Sequence, residues 1–274
     1  MKYFDAHAHY LSKQFNKDRH KLLLDIHRAG VEYIVDSINV LELEKGAELT
    51  QKYDFMYLSI GDYGPWEVSP KEAVEAEIER HITDMIRLCQ INKKVVALGE
   101  MGLDMRRGQT MQSLEKDYSI YWFKRQLEAA KEVKRPVVIH SGDACQPVFD
   151  ILRKADMPDY GHGKGMIHCY LGTPKMALEY VEMGYMISIS GVITHKSARG
   201  KNLVEVAKIV PLKNMVIETD CPYLAPEPFR GKRNDSQNLY YITENIGKIL
   251  GVSRKDVAKT TTDNALRLFR ACCH

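Results

Sequence analysis

Apolar and polar positions along this 274-residue chain follow two alternating patterns. Eight short runs rich in β-branched residues recur: Tyr3 to His9, Val31 to Val35, Met56 to Gly61, Val95 to Glu100, Pro136 to His140, Gly165 to His168, Tyr185 to Ser190 and Met215 to Asp220. They are apolar at successive positions, the pattern of strands covered on both faces. Between them lie stretches with helical spacing of apolar residues. These predict helices through Leu22, Leu23 and Ile26, over Leu41 to Lys52, from Ser69-Pro70 to about Ile91, and from about Leu114 to Val133. Further helices are expected near Pro147 to Lys154, Pro174 to Met183, Leu203 to Val210, Ser236 to Leu250 and Arg254 to Arg270. Eight strand–helix units in a chain of this length predict an α/β protein, a single (β/α)8 TIM barrel over residues 1–274. No Gly-x-Gly-x-x-Gly follows a strand, which argues against a dinucleotide-binding sheet.

Composition sets limits on this picture. Hydrophobic residues make up 45% and charged residues 27%, enough for a sizeable core and too apolar for disorder. The formal net charge of +3 permits nucleic-acid binding without arguing for it. No apolar run approaches the roughly 20 residues of a membrane span, so no membrane contact is expected. Six cysteines, at 89, 145, 169, 221, 272 and 273, form no Cys-x-x-Cys, and no basic-then-apolar leader opens the chain. A reduced, cytoplasmic location is therefore expected, and nothing in the pattern calls for an obligate protein partner.

The chemistry gathers at strand ends. In such barrels the active site lies where the strands finish, and here they finish on His7-Ala8-His9, Glu100, His140, His168 and Asp220. Alternation along a strand puts His7 and His9 on one side, roughly 6–7 Å apart. Any one of these residues alone reads as an ordinary hydrogen-bonding strand end; six on one rim read as a metal site. Six ligands suit two divalent ions about 3.5–4 Å apart with a hydroxide between them. Glu100 is the natural bridge, with His7, His9 and Asp220 on one ion and His140 and His168 on the other. Asp220 is also the candidate general base. Four imidazoles favour Zn, Mn, Co or Fe over Mg by ligand softness. Basic runs after the last two strands, Arg199-Gly200-Lys201 and Arg230-Gly231-Lys232-Arg233, are candidate phosphate contacts, as are Arg106 and Arg107 beyond Glu100. Tyr63, Trp66 and Tyr170 are candidate stacking platforms. His195 lies near enough to the rim for a substrate contact.

The succession Phe4-Asp5-Ala6-His7-Ala8-His9, Gly99 to Asp104, Val138-Ile139-His140-Ser141, His168-Cys169 and Glu218 to Pro226 resembles the TatD family of metal-dependent hydrolases. The likeness continues through Arg230 to Asn234 and Asn264 to Phe269, and so spans essentially the whole chain. The family belongs to the amidohydrolase-like barrels, and its characterised members are mainly deoxyribonucleases, often 3′-5′ exonucleases. The resemblance implies that His7, His9, Glu100, His140, His168 and Asp220 are metal ligands, that DNA is the substrate and that magnesium serves, which leaves Zn, Mn and Mg all open. Where the family carries Gly-x-His-Pro-His, this chain reads Gly61-Asp62-Tyr63-Gly64-Pro65, and Tyr170-Leu171-Gly172 and Asp235-Ser236 also depart from it. These changes line the mouth rather than the ligand set. Two rivals therefore stand beside the nuclease: an amidohydrolase-like enzyme for a non-nucleic-acid ester, lactone or amide, and a metal-stabilised binding scaffold.

Overall fold

The structure, a computed structural model, describes residues 1–63, 71–105 and 113–269. Eight strands are present: β1 (Tyr3–Ala8), β2 (Val31–Ile38), β3 (Met56–Ile60), β4 (Val95–Asp104), β5 (Val137–Gly142), β6 (Gly165–Ile167), β7 (Tyr185–Ile189) and β8 (Met215–Ile217). All pair in parallel with their sequence neighbours, in the order β1 to β8. Beyond β8 the chain closes the ring on β1 through a parallel bridge between Ala8 and Cys221. His9 N donates to Cys221 O at 2.8 Å there, and Asp220 N to His7 O at 3.0 Å. This is the (β/α)8 barrel the pattern predicts.

The helices are α1 (Arg19–Arg28), α2 (Leu43–Lys52), α3 (Lys71–Ile91), α4 (Ser113–Val133), α5 (Cys145–Ala155), α6 (Pro174–Glu182), α7 (Ala198–Ile209), α8 (Leu239–Leu250) and α9 (Arg254–Leu268). Ser69-Pro70, the expected start of α3, lies outside the described residues. α7 begins five residues before its first apolar position because Ser197 caps it, its side chain accepting from Gly200 N at 3.2 Å. No helix among the described residues is long and apolar enough to cross a membrane.

Two apolar layers hold this arrangement. Inside the barrel, Phe4, Ala6, Val35, Val96, Val138, Met166, Met186 and Val216 fill the lumen. Leu268 and Phe269, at the end of α9, close its lower mouth, with the Phe4 and Phe269 rings stacked 5.7 Å apart. The outer layer packs the strands' other faces against the helices. The upper mouth is the one left for chemistry.

Two bulges shape that mouth. Asp5 pairs with Ile34 and Ala8 with Asp36, so β1 carries one residue more than β2 across the same span. Leu98 pairs with Val137 and Met101 with Ile139, which gives β4 one extra residue at Gly99–Glu100. A bulge re-aims the side chain it carries. Glycine is required on both sides of Glu100: Gly99 and Gly102 have φ of 131° and 150°, and a Cβ at Gly102 would collide with the His140 carbonyl oxygen. The strand expected to end at Glu100 therefore runs on to Asp104.

Candidate metal centre

The bulged ends of β1 and β4 turn their polar residues toward one point over the lumen. His7 is fully buried at the end of β1, and its Nε2 lies 3.1 Å from that of His9. The carboxylate of Asp220, just past β8, lies 3.2 Å from His9 Nε2 and 3.7 Å from His7 Nε2. Glu100 reaches in from β4, 3.5 Å from His168 Nε2, 3.7 Å from His9 Nε2 and 4.0 Å from His7 Nε2. Asp220 and Cys169 follow their strands with φ of 55° and 42°, a conformation uncommon outside glycine. Such strained turns persist where surrounding contacts hold them, and Cys169 N is held by Glu218 Oε1 at 2.6 Å.

The ligand-capable atoms form two compact sets. His7, His9 and Asp220 make one; His7, Glu100 and His168 make the other, and within each the atoms all lie within 4.8 Å of one another. His7 thus belongs to both. His140, expected beside His168 on one ion, is in neither of these two sets. The His140 ring instead stands between two carboxylates, with Nδ1 3.0 Å from Glu100 Oε2 and Nε2 3.2 Å from Asp104 Oδ2. The cause is the extension of β4 beyond its bulge, which brings Asp104 alongside β5.

Partners behind the cluster's side chains fix their orientation. His9 Nδ1 faces the Ser37 carbonyl at 3.1 Å, leaving Nε2 for the site. His168 Nδ1 lies 3.0 Å from Glu218 Oε1, and that carboxylate also accepts from Ser188 Oγ at 2.7 Å. Ser37 Oγ accepts from Glu100 N at 3.1 Å, which anchors the bulge. Glu218 and Asp104 are functional candidates that periodicity alone passes over. The signal available for Glu218 is a carboxylate one residue beyond the apolar run of β8.

Charge balance in the cluster shifts its titration. Burial lowers the His7 imidazole well below its ordinary range, and the neighbouring His168 and His9 push it the same way. Burial also opposes charge on His9, but the Asp220 hydrogen bond and the Glu100 charge outweigh it and raise the group to about 9. For His168, burial is likewise overcome by Glu218, with Asp220 and Glu100 adding to it, and the value rises to about 10. Burial would raise Glu100, yet the surrounding imidazoles hold its carboxyl well below the usual carboxylate range. Buried imidazole and carboxylate donors converge here, with the far nitrogens of His9 and His168 tied back to a carbonyl and a carboxylate. That donor set and its outer partners fit divalent cations.

The model of the family described as TatD related DNase matches residues 4–270. The chain belongs to the TatD family. It is 35% identical over 268 residues to the Bacillus subtilis protein "Uncharacterized metal-dependent hydrolase YabD", covering 97% of this chain and 98% of that one. It is 29% identical over 270 residues to the zebrafish (Danio rerio) protein "Putative deoxyribonuclease tatdn3", covering 97% of this chain and 97% of that one. The solved structure of YJJV, a TatD homolog from Escherichia coli K12, superposes with a TM-score of 0.83 at 23% identity, covering 98% of both chains, and so shares the fold. This chain is therefore a TatD-family metal-dependent hydrolase.

Above the cluster of this TatD-family barrel opens a cleft of about 1020 Å³, with His9, Glu100, His140, His168 and Asp220 among its lining. Arg230 and Lys232 line its wall, as expected. Arg233 lines it too, but its guanidinium is held by Asp18 at 2.8 and 2.6 Å and lies 4.9 Å over the Phe15 ring. Tyr170 is not a stacking platform: it is buried in the outer core, and its hydroxyl donates to Thr173 O at 2.6 Å. The turn at Cys169 sends the next side chain inward. Tyr63 does reach the cleft, its ring parallel to His140 at 4.0 Å. His195 also lines the cleft, with Nε2 2.9 Å from Ala225 O. Arg106, Arg107 and Trp66 lie outside the described residues.

Proposed function

We propose that this TatD-family hydrolase cleaves phosphodiester bonds of DNA with two divalent ions held by His7, His9, Glu100, His140, His168 and Asp220. The observation that carries the reading is one cleft with that cluster at its floor and the cations Arg230 and Lys232 on its wall. The family's description as a DNase and the name of its zebrafish relative support the choice of DNA. Ions bound at the cluster supply Lewis acidity that makes a water nucleophilic near neutral pH and screens charge growing on phosphorus.

The chain's own residues do the rest. Asp220 receives the proton of the attacking water at a carboxylate oxygen. Glu100 and Asp220 set the charge of the floor, while Glu218 and Ser37 keep His168 and His9 aimed at it. Arg230 and Lys232 hold the phosphate oxygens that do not react, fixing the diester over the floor. A reducing, cytoplasmic setting is part of this reading.

The test is hydrolysis of 3′-labelled single-stranded DNA by the metal-stripped protein with Mn, Mg or Zn restored. Metal-dependent release of nucleotides is the expected result. Binding of about two ions with no attack on DNA would contradict the substrate and leave the second reading, a small ester, lactone or amide. That reading is favoured by one observation: Arg233 and Arg199 are already paired, with Asp18 and Asp143.

Ion uptake should release protons. His9 and His168, raised to about 9 and about 10, carry protons at pH 7.5 and must lose them at Nε2 to become ligands. Affinity is thus expected to rise as pH climbs from 7 toward 9. Calorimetric titrations of Mn at pH 7.5, in two buffers of different ionisation enthalpy, should show about one to two protons released per chain. Equal heats in both buffers would contradict the assignment.

A further inference from the structure

Outside the barrel, between the end of α1 and the first turn of α8, lies a second groove of about 590 Å³. Its lining leads from the loop after β8, through the start of α8, to the first residue of α9 and the start of β1. Four aromatic rings, of Tyr3, Phe229, Tyr240 and Tyr241, and three cations are mixed along it. Lys232 Nζ lies 5.7 Å from the Phe229 ring centre, and the Arg254 guanidinium 4.1 Å from that of Tyr240. Tyr241 joins the rings, 5.3 Å from Phe229 and 5.1 Å from Tyr240. Arg233 is the third cation, and Asp235 is the one carboxylate in the lining.

We propose that this groove binds the unpaired strand of DNA flanking the scissile bond, and the inference rests on the DNA reading above. Two observations select this occupant. The first is continuity: Lys232 and Arg233 line both the groove and the catalytic cleft, and with Arg233 held by Asp18 it is Lys232 that offers its charge to both. A strand whose phosphate lies over the cluster can run past Lys232 into the groove and on to Arg254. The second is chemistry. Rings interleaved with cations accept bases on their faces and phosphates at their edges, with little regard to sequence. Tyr240 keeps 40% of its surface exposed with the Arg254 guanidinium against its ring, so a base can stack there beside a cation. Duplex DNA would present no free base faces to it, so the occupant is a single strand. The groove adds affinity for length while the chemistry stays at the floor.

The experiment compares the full-length wild type with Tyr240→Ala and Arg254→Gln on a thymidine dinucleotide and a 12-nucleotide single strand. Tyr240→Ala removes an exposed ring. Arg254→Gln also removes the 2.8 Å bond to the Tyr3 hydroxyl, so melting temperatures are recorded for both. In the wild type, kcat/KM is expected to be about tenfold higher for the 12-mer. The 12-mer to dinucleotide ratio should fall toward one in each variant, through KM rather than kcat. A ratio near one in the wild type, or a ratio unchanged in both variants, overturns the proposal. Fluorescence anisotropy with the labelled 12-mer separates this from failure of the nuclease reading. If no substrate is cut but the 12-mer binds, and binds about tenfold more weakly to the variants, the groove stands and the reaction does not. If the 12-mer binds neither wild type nor variants, the groove falls as well.

Discussion

Glu100→Ala is expected to lower metal-dependent hydrolysis by on the order of a thousandfold while leaving the barrel folded. Glu100 is the side chain that approaches all four imidazoles, from 3.0 Å at His140 to 4.0 Å at His7. Removing it takes away the carboxylate nearest to all four imidazoles and leaves them with Asp220, Asp104, Glu218 and Asp36 as counter-charges. Ion stoichiometry should fall by about one, and the remaining affinity should weaken. The fold should survive because Gly99, Gly102 and the Ser37 bond hold the bulge through the backbone. The check is kcat/KM on bis(p-nitrophenyl) phosphate with Mn restored, beside the melting temperature. A loss below about tenfold with normal ion content would remove Glu100 from the central position given to it.

Asp5→Ala is expected to be among the most destabilising single changes outside the cluster. Asp5 is fully buried, and its two oxygens accept from Thr219 N at 2.9 Å, Thr219 Oγ1 at 2.6 Å and Ser236 Oγ at 2.6 Å. Those partners lie beyond β8, more than 200 positions along the chain, so the carboxylate clasps the seam where the barrel closes. Burial raises Asp5 to about 7 despite these bonds, which shows how strongly the surroundings exclude water. Truncation relieves that buried charge but strands three donors at the seam. The net cost should be about 2–4 kcal/mol, a fall in melting temperature of roughly 6–12 °C for a chain of this size. Asp5→Asn, which keeps an acceptor oxygen, should lose about half as much. A melting temperature within 2 °C of wild type for Asp5→Ala would show that β1 and the segment after β8 are held by the bridge alone.

The legible and the hidden parts of this molecule differ in how far apart their causes lie in the chain. Strands announce themselves locally, since a run such as Val95 to Leu98 or Val137 to Ile139 is apolar on both faces, and only a covered parallel sheet satisfies that. The rim residues were legible for the same reason, as polar groups ending apolar runs. Asp104 is not legible as His140's neighbour because the bulge at Gly99–Glu100 breaks the period-two count, and β4 continues past Glu100 to Asp104. Glu218 was legible as a motif residue, yet its task of facing His168 depends on a turn at Cys169 that no periodicity encodes. Tyr170 and Arg233 show the limit most plainly. An aromatic after a strand and an arginine in a basic loop look like substrate contacts until their partners, Thr173 O for one and Asp18 for the other, are known. The seam carboxylate Asp5 is the same case at longer range.

The proposal stands or falls on whether the cluster on the upper rim holds two ions with Glu100 between them. Anomalous diffraction from crystals soaked in Mn, collected above and below its absorption edge, tests this most directly. Two peaks about 3.5–4 Å apart are expected, one against His7, His9 and Asp220, the other against His140 and His168, with Glu100 between them. A single peak, or strong peaks elsewhere on the chain with none at Glu100, would contradict it.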